Sequence, residues 1–191
     1  MTMQFNLPTW LTLLRIILIP VMVAVFYLPW HLAHVACGVI FAIAGFTDWL
    51  DGYLARKMCQ TTLFGAFLDP VADKLMVSVA LVLIVQADPN PWIAIAAAVI
   101  IGREITIASL REWMAEIGQR NKVEVSWVGK WKTTAQMVAI ETLLLSMDIW
   151  KETLRDLGQV LLLVSAVFTL WSMFNYIQAA LPALTNHDNK G

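Results

Sequence analysis

Six apolar runs, at about residues 9–28, 31–57, 62–86, 91–115, 130–147 and 153–181, take up most of this chain. Each approaches or exceeds the roughly 20 residues that a helix needs to cross the hydrocarbon core of a bilayer. The breaks between them are polar, with Pro29 closing the first run and QADPNP closing the third. Such a pattern leaves few folds open. In lipid every backbone N–H and C=O must be bonded inside the protein, and for runs of this length the α-helix does that within one segment. Composition agrees: 59% of the residues are hydrophobic and 14% are charged, too few charges to coat a water-soluble domain. The expected fold is all-α, a polytopic membrane protein with six transmembrane helices. One domain would cover residues 1–182, and the polar tail 183–191 is expected to be frayed.

Basic residues near the span ends orient the chain. Arg56 and Lys57 fall between the second and third runs, and Arg120, Lys122 and Lys130 between the fourth and fifth. The other side has Lys151 and Arg155. By the positive-inside rule the even-numbered loops and both termini face the cytoplasm, as in a bacterial inner membrane. Trp10, Trp30, Trp92, Trp127, Trp131 and Trp150 all lie near predicted span ends, where an amphipathic ring favours the interface. No basic stretch followed by a cleavage site opens the chain, so no removable leader is expected. A net charge of −1 gives no reason to expect nucleic acid as a partner. Cys37 and Cys59 form no C-x-x-C pair and read as reduced thiols. His31 and His34, one helical turn apart, lack a third ligand and read as residues of an interfacial loop.

Against this oily background, residues 47–74 read TDWLDGYLARKMCQTTLFGAFLDPVADK, with four aspartates. Asp48, Asp51, Gly52, Ala55 and Arg56 share one helical stripe, and Gly65, Asp69 and Asp73 share another at i, i+4 spacing. A short turn joins the two helices, so the four carboxylates are expected to meet as two facing rows. An aspartate at membrane depth costs about 2.5–3.5 kcal/mol on insertion scales. Arg56 and Lys74 do not balance four such groups; divalent cations would, and oxygen-only ligands favour Mg²⁺ or Mn²⁺. Gly52, Ala55 and Gly65 remove bulk beside the carboxylates, and Arg56 can fork onto phosphate oxygens. Two metal ions there could clamp the attacking and leaving oxygens of a phosphoryl transfer. A structural ion network is the competing explanation, though it would alternate signs along the stripes. Pro70 either bends the third span toward the site or is an ordinary membrane-helix kink.

The spacing Asp48-x₂-Asp51-Gly52-x₂-Ala55-Arg56-x₈-Gly65-x₃-Asp69-x₃-Asp73 resembles the signature of the CDP-alcohol phosphotransferases at every fixed position. NLPTWLTLLRIILIP, REITIASLREW and SWVGKWKTTAQM extend the resemblance over nearly the whole chain. It implies that family's fold of six transmembrane helices, a homodimer and a site open to the cytoplasm. It also implies CDP-diacylglycerol as donor and sn-glycerol 3-phosphate as acceptor, with two Mg²⁺ or Mn²⁺ ions on Asp48, Asp51 and Asp69. Asp73 would touch metal and act as general base, while Gly52, Ala55, Arg56 and Gly65 would hold the CDP moiety. No serine, cysteine or histidine stands beside the cluster as a covalent nucleophile, which favours direct in-line attack; an aspartyl intermediate stays compatible with the sequence.

A dianionic acceptor calls for a basic pocket, and Arg103, Arg111, Lys130 and Lys132 are candidates. The alternative for them is snorkelling at the cytoplasmic interface, and for Arg103 pairing with Glu104 or Glu141. Thr12, Arg15 and Gln136 complete the set, with Arg15 expected near the phosphates or bracing the aspartates. Three other readings are open: a family member with another acceptor (inositol phosphate, serine or phosphatidylglycerol), a prenyltransferase, and a divalent-cation transporter. Prenyltransferases carry denser D-D-x-x-D clusters, and a transporter would need a continuous polar path through the bilayer.

Overall fold

The structure is a computed structural model, and it describes residues 7–58, 63–116, 127–149 and 151–188. Among these residues six helices follow in order: α1 (Leu7–Phe26), α2 (Ala33–Met58), α3 (Leu63–Ala87), α4 (Pro91–Glu116), α5 (Trp127–Ser146) and α6 (Lys151–Asp188). Among the described residues there is no strand. The expected runs fall on these helices to within a few residues. The tail is the exception. The α6 backbone stays helical through Asp188, past the point where fraying was expected.

Local signals account for several boundaries. Asn90 caps α4, its Oδ1 accepting the Trp92 N–H at 3.0 Å, and Pro91 stands in the first helical position, where its missing N–H leaves nothing unsatisfied. The α2 start is capped from a distance. Asp148, between α5 and α6, accepts the backbone N–H groups of His34 and Val35 at 2.9 and 3.0 Å. The same carboxylate meets the His34 ring Nδ1 at 2.7 Å. His34 is therefore the second residue of α2 with a fixed partner, and not a loop residue as expected. Inside the helices, hydroxyls return to their own backbone, as Thr142 to the Val138 carbonyl and Thr169 to the Ser165 carbonyl.

Met22, Phe41, Leu81, Ile84, Ile93, Ile100, Ile140, Leu143, Leu144 and Leu162 fill the centre of the bundle. The outside is equally apolar: Ile105, Val160, Val167 and Phe174 are each about 60% exposed or slightly more or less. Helices apolar on every side require a hydrocarbon solvent. Stretches of α1 (Thr9–Phe26), α2 (Ala33–Leu54), α4 (Pro91–Glu116) and α6 (Glu152–Gln178) are long and apolar enough to cross a membrane. The remaining two helices have 25 and 20 residues, about 37 and 30 Å at 1.5 Å per residue. Close helix packing relies on glycine in places. A Cβ on Gly158 of α6 would stand 2.8 Å from Leu143 Cγ of α5, and one on Gly45 of α2 would stand 2.5 Å from the Met137 methyl of α5.

Successive helices run up and down, so the ends of the bundle differ. At one end α2 finishes and α3 begins. The other end is tied by polar pairs between helices: Tyr27 Oη to Gln86 at 3.0 Å, Asn90 to Gln159 at 3.2 Å, and a fork of Arg155 onto Asp88 at 2.5 and 2.8 Å.

Candidate active site

The signature residues come together around a side chain from a third helix. Arg15 lies eight residues into α1, about 12 Å along its axis, and is 1% exposed. Its Nη1 reaches Asp48 Oδ1 at 2.8 Å and Asp69 Oδ1 at 3.2 Å, while Nη2 reaches Asp51 Oδ2 at 2.7 Å. One guanidinium thus joins two carboxylates of α2 to one of α3. Among the described residues the two helices touch each other only lightly, and α1 packs along both. Three of the four carboxylates expected to meet across the hairpin do converge, with the α1 guanidinium between them, and Asp73 is set apart. Acidic rows brought into contact would repel, and α1 inserts the cation that lets them converge. Arg15 is found bracing the aspartates, one of the two positions expected for it.

Asp48, Asp51 and Asp69 each present an oxygen within 4.8 Å of the others. Asp51 is buried, and the other two are a little over 40% exposed at the side chain, so the cluster opens outward from a closed floor. Three carboxylates at that spacing form an all-oxygen donor set of the kind that hard divalent cations take. Gly52, between Asp51 and the end of α2, has no described atom within 4 Å of where a Cβ would stand, so a bulky group can lie against the helix there. The residues present therefore fit a divalent metal with a ligand beside it.

Asp73, one turn beyond Asp69 on α3, lies outside the group of three. Together with Arg15 it borders a void of about 10 Å³ also lined by Phe41, Ala44, Gly45, Met76, Val77 and Met137. Thr12 and Gln136 are buried, at 3% and 5% exposure. Thr9, about one turn before Thr12, is also buried, and its burial was not anticipated. Its spacing of three from Thr12 was the available signal.

On the acceptor side the outcome is divided. Arg103 is mostly buried and donates to Glu104 Oε1 at 2.9 Å and to Ser172 Oγ of α6 at 3.1 Å, the pairing expected as its alternative to ligand binding. Arg111, two turns on along α4, is exposed. Gly65 is half-buried in the first turn of α3. The side chains of Ala55, Arg56, Lys130 and Lys132 lie outside the described residues, as does Cys59; Cys37 is a buried free thiol. Beyond Asp73, α3 buries Met76, Val77, Ala80, Leu81, Leu83 and Ile84, an apolar wall where a transporter would need a polar path.

A helical membrane bundle with an acidic, oxygen-lined site near one end, floored by a buried arginine, has the makings of an intramembrane enzyme for anionic lipid substrates. The chain belongs to the CDP-alcohol phosphatidyltransferase family, which it matches over residues 5–171. Several bacterial relatives are similar over almost their full length. A protein of Sodalis glossinidius is 55% identical over 97% of this chain and 100% of its own. One from Salmonella choleraesuis is 56% identical over 93% of this chain and 96% of its own. One from Haemophilus influenzae is 54% identical over 97% and 98%. All three are named CDP-diacylglycerol–glycerol-3-phosphate 3-phosphatidyltransferase.

Proposed function

We infer that this chain transfers the phosphatidyl group of CDP-diacylglycerol to sn-glycerol 3-phosphate, giving phosphatidylglycerophosphate and CMP. The observation that carries the reading is the convergence of Asp48, Asp51 and Asp69 on one patch, in a chain more than half identical to enzymes named for this reaction. The site would face the cytoplasm, where glycerol 3-phosphate and CTP-derived lipid meet, in a protein whose six helices all cross the bacterial inner membrane. A homodimer is the assembly that the family resemblance suggests.

Asp48, Asp51 and Asp69, with Asp73 at the edge, would hold Mg²⁺ or Mn²⁺, two ions in all. Bound there, the ions would neutralise the donor diphosphate and ease departure of CMP. The space beside Gly52 takes part of the CDP moiety, with Ala55, Arg56 and Gly65 completing its seat. Arg111 and Lys132, and secondarily Lys130, meet the acceptor phosphate; Arg103 steadies α4 against α6 through Ser172. Asp73 accepts the proton of the acceptor's primary hydroxyl. The freed oxygen forms a bond to the lipid-bearing phosphorus, the bond to the bridging oxygen breaks, and CMP leaves with that electron pair.

The test uses the protein purified in detergent with CDP-diacylglycerol, Mg²⁺ or Mn²⁺ and labelled glycerol 3-phosphate. CMP release that requires glycerol 3-phosphate, with label entering a lipid product, is expected. CMP release indifferent to glycerol 3-phosphate would refute the acceptor assignment.

A further inference from the structure

We propose that Arg15 is the resident counter-ion of the aspartate site: it offsets part of the carboxylates' charge when no metal is bound, and thereby holds metal affinity down. The inference rests on the reading that Asp48, Asp51 and Asp69 hold the metal. Among the described residues Arg15 is the one cation in ion-pair contact with them, a single positive charge against three negative ones. It is almost wholly buried in α1, so the pairing is part of the packed protein and not a surface encounter.

The geometry separates this role from simple bracing. Both terminal nitrogens are spent on carboxylates, and each carboxylate gives Arg15 one oxygen. The remaining nitrogen, Nε, is buried and meets no partner among the described residues. Arg15 is therefore placed for its charge more than for a complete set of hydrogen bonds. A cation in the same cradle as a divalent ion acts on it in two opposing ways. It repels the ion directly, and it keeps the carboxylates close enough to ligate it. At separations of a few ångström in partly buried surroundings, unit charges interact strongly, so repulsion outweighs the loss of ordering. Removing the Arg15 charge then leaves three carboxylates uncompensated, which destabilises the metal-free protein and tightens metal binding.

The experiment titrates chelator-treated, detergent-purified protein with Mn²⁺, following free Mn²⁺ by electron paramagnetic resonance and folding by thermal midpoint. Wild type is compared with Arg15→Met, Arg15→Gln and Arg15→Lys, with Asp51→Asn marking the site. Arg15→Met and Arg15→Gln are expected to bind Mn²⁺ at least about tenfold more tightly than wild type, given the size of such charge interactions. Arg15→Lys, which keeps the charge, should stay within about threefold. The neutral variants should melt lower than wild type without metal, and saturating Mn²⁺ should close most of that gap. Equal or weaker Mn²⁺ binding in the neutral variants would overturn the proposal, as would a melting deficit that Mn²⁺ leaves unchanged. So would failure of both neutral variants to fold even when prepared with Mn²⁺, because the ion should stand in for the missing charge. Should Asp51→Asn bind Mn²⁺ as wild type does, the metal reading itself fails and takes this inference with it; the other adverse results sink the inference alone.

Discussion

Asp73 borders the Arg15 void but stands outside the carboxylate trio. Asp73→Asn is expected to lower turnover by about 10²–10⁴-fold, the usual worth of a positioned general base, while donor binding stays measurable. Loss of donor binding in parallel, read by nucleotide-lipid titration, would assign Asp73 to the metal set. At the far end of the bundle Asp148 has a different task. Burial pushes its carboxyl up, but hydrogen bonds from the His34 ring and from the Val35 and His34 N–H groups outweigh burial and hold it below the usual carboxylate range. A lowered folded-state value means that this stabilisation is complete above the unfolded value, near about pH 4, and fades as pH falls through the folded one. Asp148→Asn should therefore melt below wild type at neutral pH, by about 1–3 kcal/mol in stability for weakened capping of two helix-end N–H groups. The difference should shrink on acidification below about pH 4. A gap that widens in acid would contradict the assignment. Nothing local announced this pair, because His34 and Asp148 are 114 residues apart.

At the scale of elements, α1 is the helix whose position matters most. Its sequence reads as an ordinary apolar span with a buried-looking arginine, yet it lies against both α2 and α3 and supplies the charge that joins them. The signature on α2 and α3 was legible because stripes three and four residues apart share a helix face whatever the tertiary fold. Arg15 was legible as a brace for the aspartates or a partner of the phosphates, but the packing of α1 along both helices was not, since it depends on contacts between distant residues. The α5–α6 pair supports the site from behind. The two helices pack tightly at Gly158, where a Cβ would meet Leu143 Cγ at 2.8 Å and the Leu143 backbone nitrogen at 3.2 Å. Backbone cannot yield as a side-chain tip can. Gly158→Val should cost about 1–3 kcal/mol through overpacking, visible as a lower thermal midpoint in detergent, with KM for both substrates little changed. Unchanged melting would mean that the helices part without penalty.

For the molecule as a whole, the two ends divide labour. One end is tied by Tyr27–Gln86, Asn90–Gln159, His34–Asp148 and Asp88–Arg155, each pair bridging different helices or connections. The other gathers unbalanced negative charge around Arg15. Full chelation is expected to abolish turnover, and Mg²⁺ or Mn²⁺ to restore it, because the ligand set is all oxygen. Asp88→Ala, at the tied end, should leave kcat/KM within about twofold in the same assay while lowering the thermal midpoint. A large kinetic effect from Asp88→Ala would show that the ends are coupled.

The sequence by itself determined the class of solvent, the placement of the described helices, and the acidic motif. Each of these follows from local quantities: run length against bilayer thickness, helical periodicity, and the energy of placing charge in hydrocarbon. Tertiary structure decided which of its two expected positions Arg15 takes, how α1 packs along both α2 and α3, and which distant carboxylate caps α2. Those depend on contacts between residues 33 to 114 positions apart, and spacing along a chain carries no record of them.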